Sequence, residues 1–180
     1  PIKRYFMLHK PVDYVCARRD GHHAVVLDLL DVCHKDRLQI VGRLDIDTSG
    51  LLLLTDDGQW NHQVTSPRSN CSKVYRLTLS EPLTDAMITH LTAGVLLRGE
   101  THKTKPAHVE RLLLDNDQTH HEARITIHEG RYHQVKRMFA AVGNHVVGLH
   151  REKIGDITLD EQLEPGQWRY LTEQEIASVL

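Results

Sequence analysis

The chain has 180 residues, is 40% hydrophobic and carries a formal net charge of −2. That is enough apolar material for one compact core, which excludes a disordered chain, and no apolar run nears the roughly 20 residues of a membrane-spanning helix. Cys16, Cys33 and Cys71 stand far apart, without a Cys-x-x-Cys pair, and the 14 histidines form no His-Glu-x-x-His. Reduced thiols in a cytoplasmic protein are expected, and no metal site. The charge is mildly uneven: from Glu152 onward seven acids face only Lys153 and Arg169. The start, Pro1-Ile2-Lys3-Arg4-Tyr5, shows no signal-peptide pattern and no initiator Met, and reads as a cut end.

In chain order, residues 5–10 are aromatic and apolar and stop at Pro11, which predicts a strand. Residues 38–41 and 51–55 are short apolar runs on either side of a polar loop. Leu51-Leu52-Leu53-Leu54 has the length of a buried strand. Asp56-Asp57-Gly58 reads as a turn. Residues 74–79 alternate, with Tyr75, Leu77 and Leu79 on one face. Thr84 is a fitting N-cap for a helix over 85–93 that stops at Gly94. Residues 109–114 and 123–128 flank Asp115-Asn116-Asp117 and predict a hairpin. The clearest helix covers 132–142, where Val135, Met138, Phe139 and Val142 recur at helical spacing before Gly143. Thr172 and Glu175 form a capping box for a last helix over 172–179. The class is α+β: a mixed, mostly antiparallel sheet flanked by short helices.

Three polar clusters bear on chemistry. Gly42-Arg43-Leu44-Asp45-Ile46-Asp47-Thr48-Ser49-Gly50 packs two carboxylates, two hydroxyls and an arginine between two apolar strands. Such a loop either mounts chemistry or is a surface turn bonding its own backbone. Its Asp45-x-Asp47-x-Ser49-Gly50 spacing opens like a calcium loop, but Leu53 and Asp56 occupy the ninth and twelfth positions and no helices flank it. Glu129-Gly130-Arg131-Tyr132-His133-Gln134-Val135-Lys136-Arg137 places His133, Lys136 and Arg137 at i, i+3 and i+4 of the expected helix. They form either a site for phosphates or a carboxylate, or a solvated basic face. Ser66-Pro67-Arg68-Ser69-Asn70-Cys71-Ser72-Lys73-Val74-Tyr75-Arg76 leads a basic loop into a strand with an inward Tyr75, a core ring or a stacking partner for a base.

Together these clusters resemble the RsuA-type family of ribosomal-RNA pseudouridine synthases. Gly42-Arg43-Leu44-Asp45 followed by Thr48-Ser49-Gly50-Leu51-Leu52 carries the likeness, with Gly130-Arg131, His133-Gln134-Val135-Lys136-Arg137-Met138 and Phe6-Met7-Leu8-His9-Lys10-Pro11. It runs over nearly the whole chain, with Lys73-Val74-Tyr75 where the family has Lys-Thr-Tyr. Thr104-Lys105-Pro106-Ala107 and the Arg131-Tyr132-His133-Gln134 wording are most similar to the branch acting on small-subunit (16S) ribosomal RNA.

The resemblance implies the pseudouridine-synthase catalytic fold as one domain over 1–180, with room for two lobes. The family's N-terminal RNA-binding domain is expected to be absent here. It implies isomerisation of a uridine flipped out of its stack, without cofactor. Asp45 is then the essential carboxylate, acting as nucleophile on the anomeric carbon or as base on the 2′ proton. Lys136 matches its cationic partner, Tyr75 the tyrosine on the target base, and Arg43 the residue that helps displace the base. Arg68, Lys73, Arg131, His133 and Arg137 are expected on the RNA. The expected partner is small-subunit RNA or an assembly intermediate, met by a monomer. The alternatives are a non-catalytic RNA-binding or ribosome-assembly factor, and a synthase for large-subunit RNA.

Overall fold

The computed structural model describes residues 2–113 and 120–180. Its strands are β1 (Tyr5–Lys10), β2 (Tyr14–Val15), β3 (Ala24–Val25), β4 (Gln39–Val41), β5 (Thr48–Thr55), β6 (Lys73–Leu79), β7 (His108–Arg111), β8 (Glu122–Ile127), β9 (Val146–Ile154), β10 (Ile157–Thr158) and β11 (Trp168–Tyr170). Its α-helices are α1 (Gly58–Thr65), α2 (Asp85–Ala93), α3 (Gln134–Ala141) and α4 (Glu173–Ser178). The chain divides into two compact units. The first joins Pro1–Cys71 to Arg151–Leu180, and the second is Ser72–His150.

In the first unit β1 lies between β5 and β11, antiparallel to both, with Phe6 opposite Leu54 and Tyr170. Phe6, Met7, Leu8 and all four leucines of β5 are wholly buried. Both faces of these strands are covered, so their sequences run continuously apolar instead of alternating. β5 starts at Thr48, three residues before the apolar run, because Gly50 lets β9 come close. A Cβ on Gly50 would stand 2.2 Å from the Arg151 carbonyl oxygen, and its φ is +115°. The expected turn at Asp56-Asp57-Gly58 is instead a helix start. Asp57 caps α1 through the Trp60 N–H at 3.1 Å. The Trp60 indole packs edge-on against Tyr5 and donates to the Ile176 carbonyl at 3.0 Å, which seats α1. The capping box of α4 forms as expected from Thr172 and Glu175.

The second unit is an antiparallel ladder in which β8 lies between β6 and β7, with Ile125 opposite both Tyr75 and Val109. Its core of Leu77, Leu79, Leu91, Ile125, Met138 and Phe139 is sealed by α2 and α3. α2 has the expected bounds, with Thr84 Oγ1 accepting from the Met87 N–H and Gly94 at φ +101°. β7 and β8 are the expected hairpin, whose turn at Asp115-Asn116-Asp117 lies outside the described residues. α3 begins at Gln134, two residues later than expected. His133 sits at φ +49° and leaves the helix as its N-cap, so it does not share a helical face with Lys136 and Arg137.

Candidate active site

The polar loop between β4 and β5 is built as a tethered turn. Gly42 opens it at φ +74°. The buried Leu44 anchors it, and the Leu44 N–H donates to Cys16 Sγ at 3.4 Å. The Thr48 N–H donates back to the Asp45 carbonyl at 3.0 Å, and the Asp13 N–H to the Ile46 carbonyl at 2.8 Å. Asp45 is half-buried, whereas Arg43 and Asp47 are exposed.

Beneath this turn lies a group to which sequence reasoning assigned no role. Lys10 ends β1 fully buried. Its ammonium donates to the carbonyls of Pro11 at 2.9 Å, Asp45 at 3.1 Å and Thr48 at 2.8 Å. All three ammonium donors are thus engaged, and one cation fastens the backbone on both sides of the Asp45 turn. Burial pushes the Lys10 pKa down, and the nearby Cys16, Asp47, Asp45 and Asp13 partly offset it. Burial likewise pushes the Cys16 thiol up, against the Leu44 N–H and the neighbouring Lys10 charge. A second buried cation, Arg151 at 3% exposure, donates from Nε to the Leu51 carbonyl at 2.9 Å.

The other candidates fall as follows. Arg68 is exposed in the first unit, on a 3-10 turn whose Ser66 hydroxyl accepts the Arg68 N–H. In the second unit, Lys73 and Tyr75 are half-buried on β6, and Tyr75 packs against the core cluster. Lys136 is half-buried on α3, while Val135, Met138 and Phe139 supply the buried stripe. Arg43 and Asp45 therefore belong to one unit, Tyr75 and Lys136 to the other.

Arg131 and Arg137, both expected on the RNA, are each also held by acceptors of the protein itself. Arg131 donates from Nε to Glu129, from Nη1 to the His102 carbonyl and from Nη2 to the Lys103 carbonyl, all at 2.9–3.0 Å. Arg137 donates to the carbonyls of Tyr132 and Arg98, both at 3.0 Å, and to Glu100 at 3.3 Å. The guanidinium fork suits such multiple acceptance, and the geometry gives both arginines a bracing role. No sequence signal marks this, because the carbonyls of His102, Lys103 and Arg98 lie 28 to 39 residues away. Among the described residues, no group of three or more His, Cys, Asp or Glu could hold a metal ion. None of the described helices is long and apolar enough to cross a membrane.

Residues 4–141 match the family of RNA pseudouridylate synthases. The chain is 56% identical over 177 residues to the ribosomal small subunit pseudouridine synthase A of Escherichia coli (strain K12). It is 53% identical over 176 residues to the protein of the same name from Vibrio cholerae. Each pairing covers 98% of this chain and 74% of the relative. A crystal structure of a pseudouridylate synthase matches with a TM-score of 0.91 at 49% identity, over 99% of this chain and 74% of that one. The chain belongs to the RNA pseudouridylate synthase family and is an enzyme of that class. Its fold is the pseudouridine-synthase fold expected from the sequence.

Proposed function

We propose that this chain converts one uridine of small-subunit (16S) ribosomal RNA to pseudouridine, with Asp45 as the essential carboxylate. The observation that carries the reading is the identity of more than half the chain to relatives named for the small ribosomal subunit. The Arg43-Leu44-Asp45 turn and its buried Lys10 anchor support it, because a reacting carboxylate needs a fixed backbone.

In the reaction the bond between N1 of uracil and the ribose anomeric carbon breaks. The base, flipped from its stack, turns so that carbon 5 bonds to that carbon. The carbon-5 proton leaves to solvent and N1 gains one, so atoms balance without oxidant, reductant or cofactor. Asp45 acts ionised, as nucleophile on the anomeric carbon or as base on the 2′ proton. By the family resemblance Lys136 takes part in catalysis, Tyr75 packs on the target base, and Arg43 helps displace that base. Arg68, Lys73, Arg131, His133 and Arg137 contact the RNA. The enzyme acts as a monomer in the cytoplasm, on small-subunit RNA or an assembly intermediate.

The test is tritium release from a small-subunit ribosomal transcript labelled at uracil carbon 5. Wild type should release tritium and Asp45→Asn should not, while both bind the transcript alike. Release by the Asn variant removes Asp45 from the mechanism. Wild-type turnover on a large-subunit transcript in place of the small-subunit one overturns the substrate assignment.

A further inference from the structure

Loop 96–105 of the second unit is held rigidly against segment 129–137. Leu96 and Lys103 form a β-bridge, and the buried Thr104 exchanges hydrogen bonds with Val95 through its hydroxyl and its N–H. Arg131 binds the carbonyls of His102 and Lys103, and Glu129 accepts from the Lys105 N–H at 2.6 Å. A single guanidinium, that of Arg137, bonds the carbonyls of both Tyr132 and Arg98, so these two backbones are neighbours.

The braced surface carries a definite chemistry. Arg98, His102, Lys103 and Lys105 are exposed on it. Its acids are engaged: Glu100 pairs with Arg137 and Glu129 with Arg131. Tyr132, whose carbonyl shares the Arg137 guanidinium with that of Arg98, is 76% exposed, and its ring stacks on His133 at 3.8 Å between centroids and 22° between planes. His133 itself holds a backbone conformation that L residues rarely adopt, φ +49°. Such an outlier persists only where the surroundings enforce it, and it clusters at functional positions. A rigid aromatic face on a surface that also carries cations has the two features that bind an unpaired nucleotide: a platform for the base and charge for its phosphates.

We propose that Tyr132, braced on His133 and on a surface that also carries Arg98, Lys103 and Lys105, is a stacking site for an unpaired base of the substrate RNA other than the target uridine. This rests on the function proposed above, which gives the target base to Tyr75. Tyr132 therefore takes a different nucleotide, and acts on affinity and choice of RNA instead of on bond breaking.

The experiment measures binding of a labelled small-subunit ribosomal transcript across a salt series, alongside tritium release. Tyr132→Ala should weaken binding roughly 5- to 150-fold without changing the salt slope, while Tyr132→Phe keeps the ring and binds within about twofold of wild type. The double variant Arg98→Ala, Lys103→Ala should reduce the salt slope by about 1.4, as two phosphate contacts on a single strand require. In tritium release the Ala effect should fall on KM. An Ala variant that binds like wild type overturns the site, as does a Phe variant as weak as Ala. A wild type that binds and discriminates the Ala variant but releases no tritium upholds the stack and overturns the function.

Discussion

Lys10 shows how much one buried charge can organise. Its ammonium satisfies three carbonyls, two of them in the Asp45 turn. Met has nearly the same length but donates nothing, so Lys10→Met leaves those carbonyls to be satisfied by other means. The expected loss is roughly 1.5–3 kcal/mol, or about 3–12 °C in melting temperature for a chain of this size. Tritium release should fall as well, because the turn that carries Asp45 loosens. A variant that melts with wild type would show that the ammonium does not fasten the turn. Nothing in the sequence around Lys10 announces this task. It is one of several lysines, and its acceptors at Asp45 and Thr48 lie 35 and 38 residues further on.

At the scale of elements, α1 hangs on Asp57. This carboxylate caps the helix at the Trp60 N–H and accepts the Tyr5 hydroxyl at 2.5 Å. Asp57→Ala should cost about 1–2 kcal/mol, read from a denaturant midpoint, since it removes a cap and leaves a phenol without its acceptor. An unchanged midpoint would mean that Trp60 alone seats the helix. The reason α1 is hidden in the sequence is plain: of Gly58-Gln59-Trp60-Asn61-His62-Gln63-Val64-Thr65 only Trp60 and Val64 are buried, and a glycine leads the segment. By contrast, α2 is legible to the residue because Thr84 and Gly94 carry local chemistry that packing does not override. The core strands are equally legible, since burial on both faces leaves an unbroken apolar run. The start of α3 is not, because only the folded chain holds His133 at positive φ. In the candidate site the Arg43-Leu44-Asp45 pattern is readable, but the bracing by Arg131 and Arg137 depends on carbonyls that no side-chain pattern reveals.

At the scale of the whole molecule, carboxylates held low in pKa by their partners lie in the first unit and set its response to pH. The Tyr5 hydroxyl and the Trp60 N–H hold Asp57 below the usual carboxylate range. Asp56 is raised by burial, but hydrogen bonds from the Arg4 N–H and guanidinium outweigh this and lower it. Arg169 lowers Glu175, and the Gln162 N–H with Arg169 lowers Asp160. Folded values below the unfolded ones mean that the unfolded chain binds more protons near pH 4. The stability is therefore complete above about pH 4 and is lost as pH falls through the lower folded values. Tyr5 has the opposite sign: burial and Asp57 push it up to about 12, so its contribution holds below about pH 10 and fades as pH rises through about 12. Both tryptophans of the chain, Trp60 and Trp168, lie in this unit, so their emission reports on it. The denaturant midpoint of that emission should fall between about pH 6 and pH 3, and a constant midpoint would contradict the pairing.

The division of the chain has a consequence for how the protein is born. The first unit is made from two separate segments, 1–71 and 151–180, whereas the second is continuous. On a ribosome the second unit can therefore close as soon as it emerges, while β1, made before it, waits for β11, made after it. Until then Phe6, Met7 and Leu8 have an open strand edge beside them, which is the form of nascent chain that aggregates or recruits a chaperone. Translation arrested ahead of Trp168 should leave residues 1–71 open to protease and 72–150 protected; equal protection of both would show that the last strand is not needed to close the first unit.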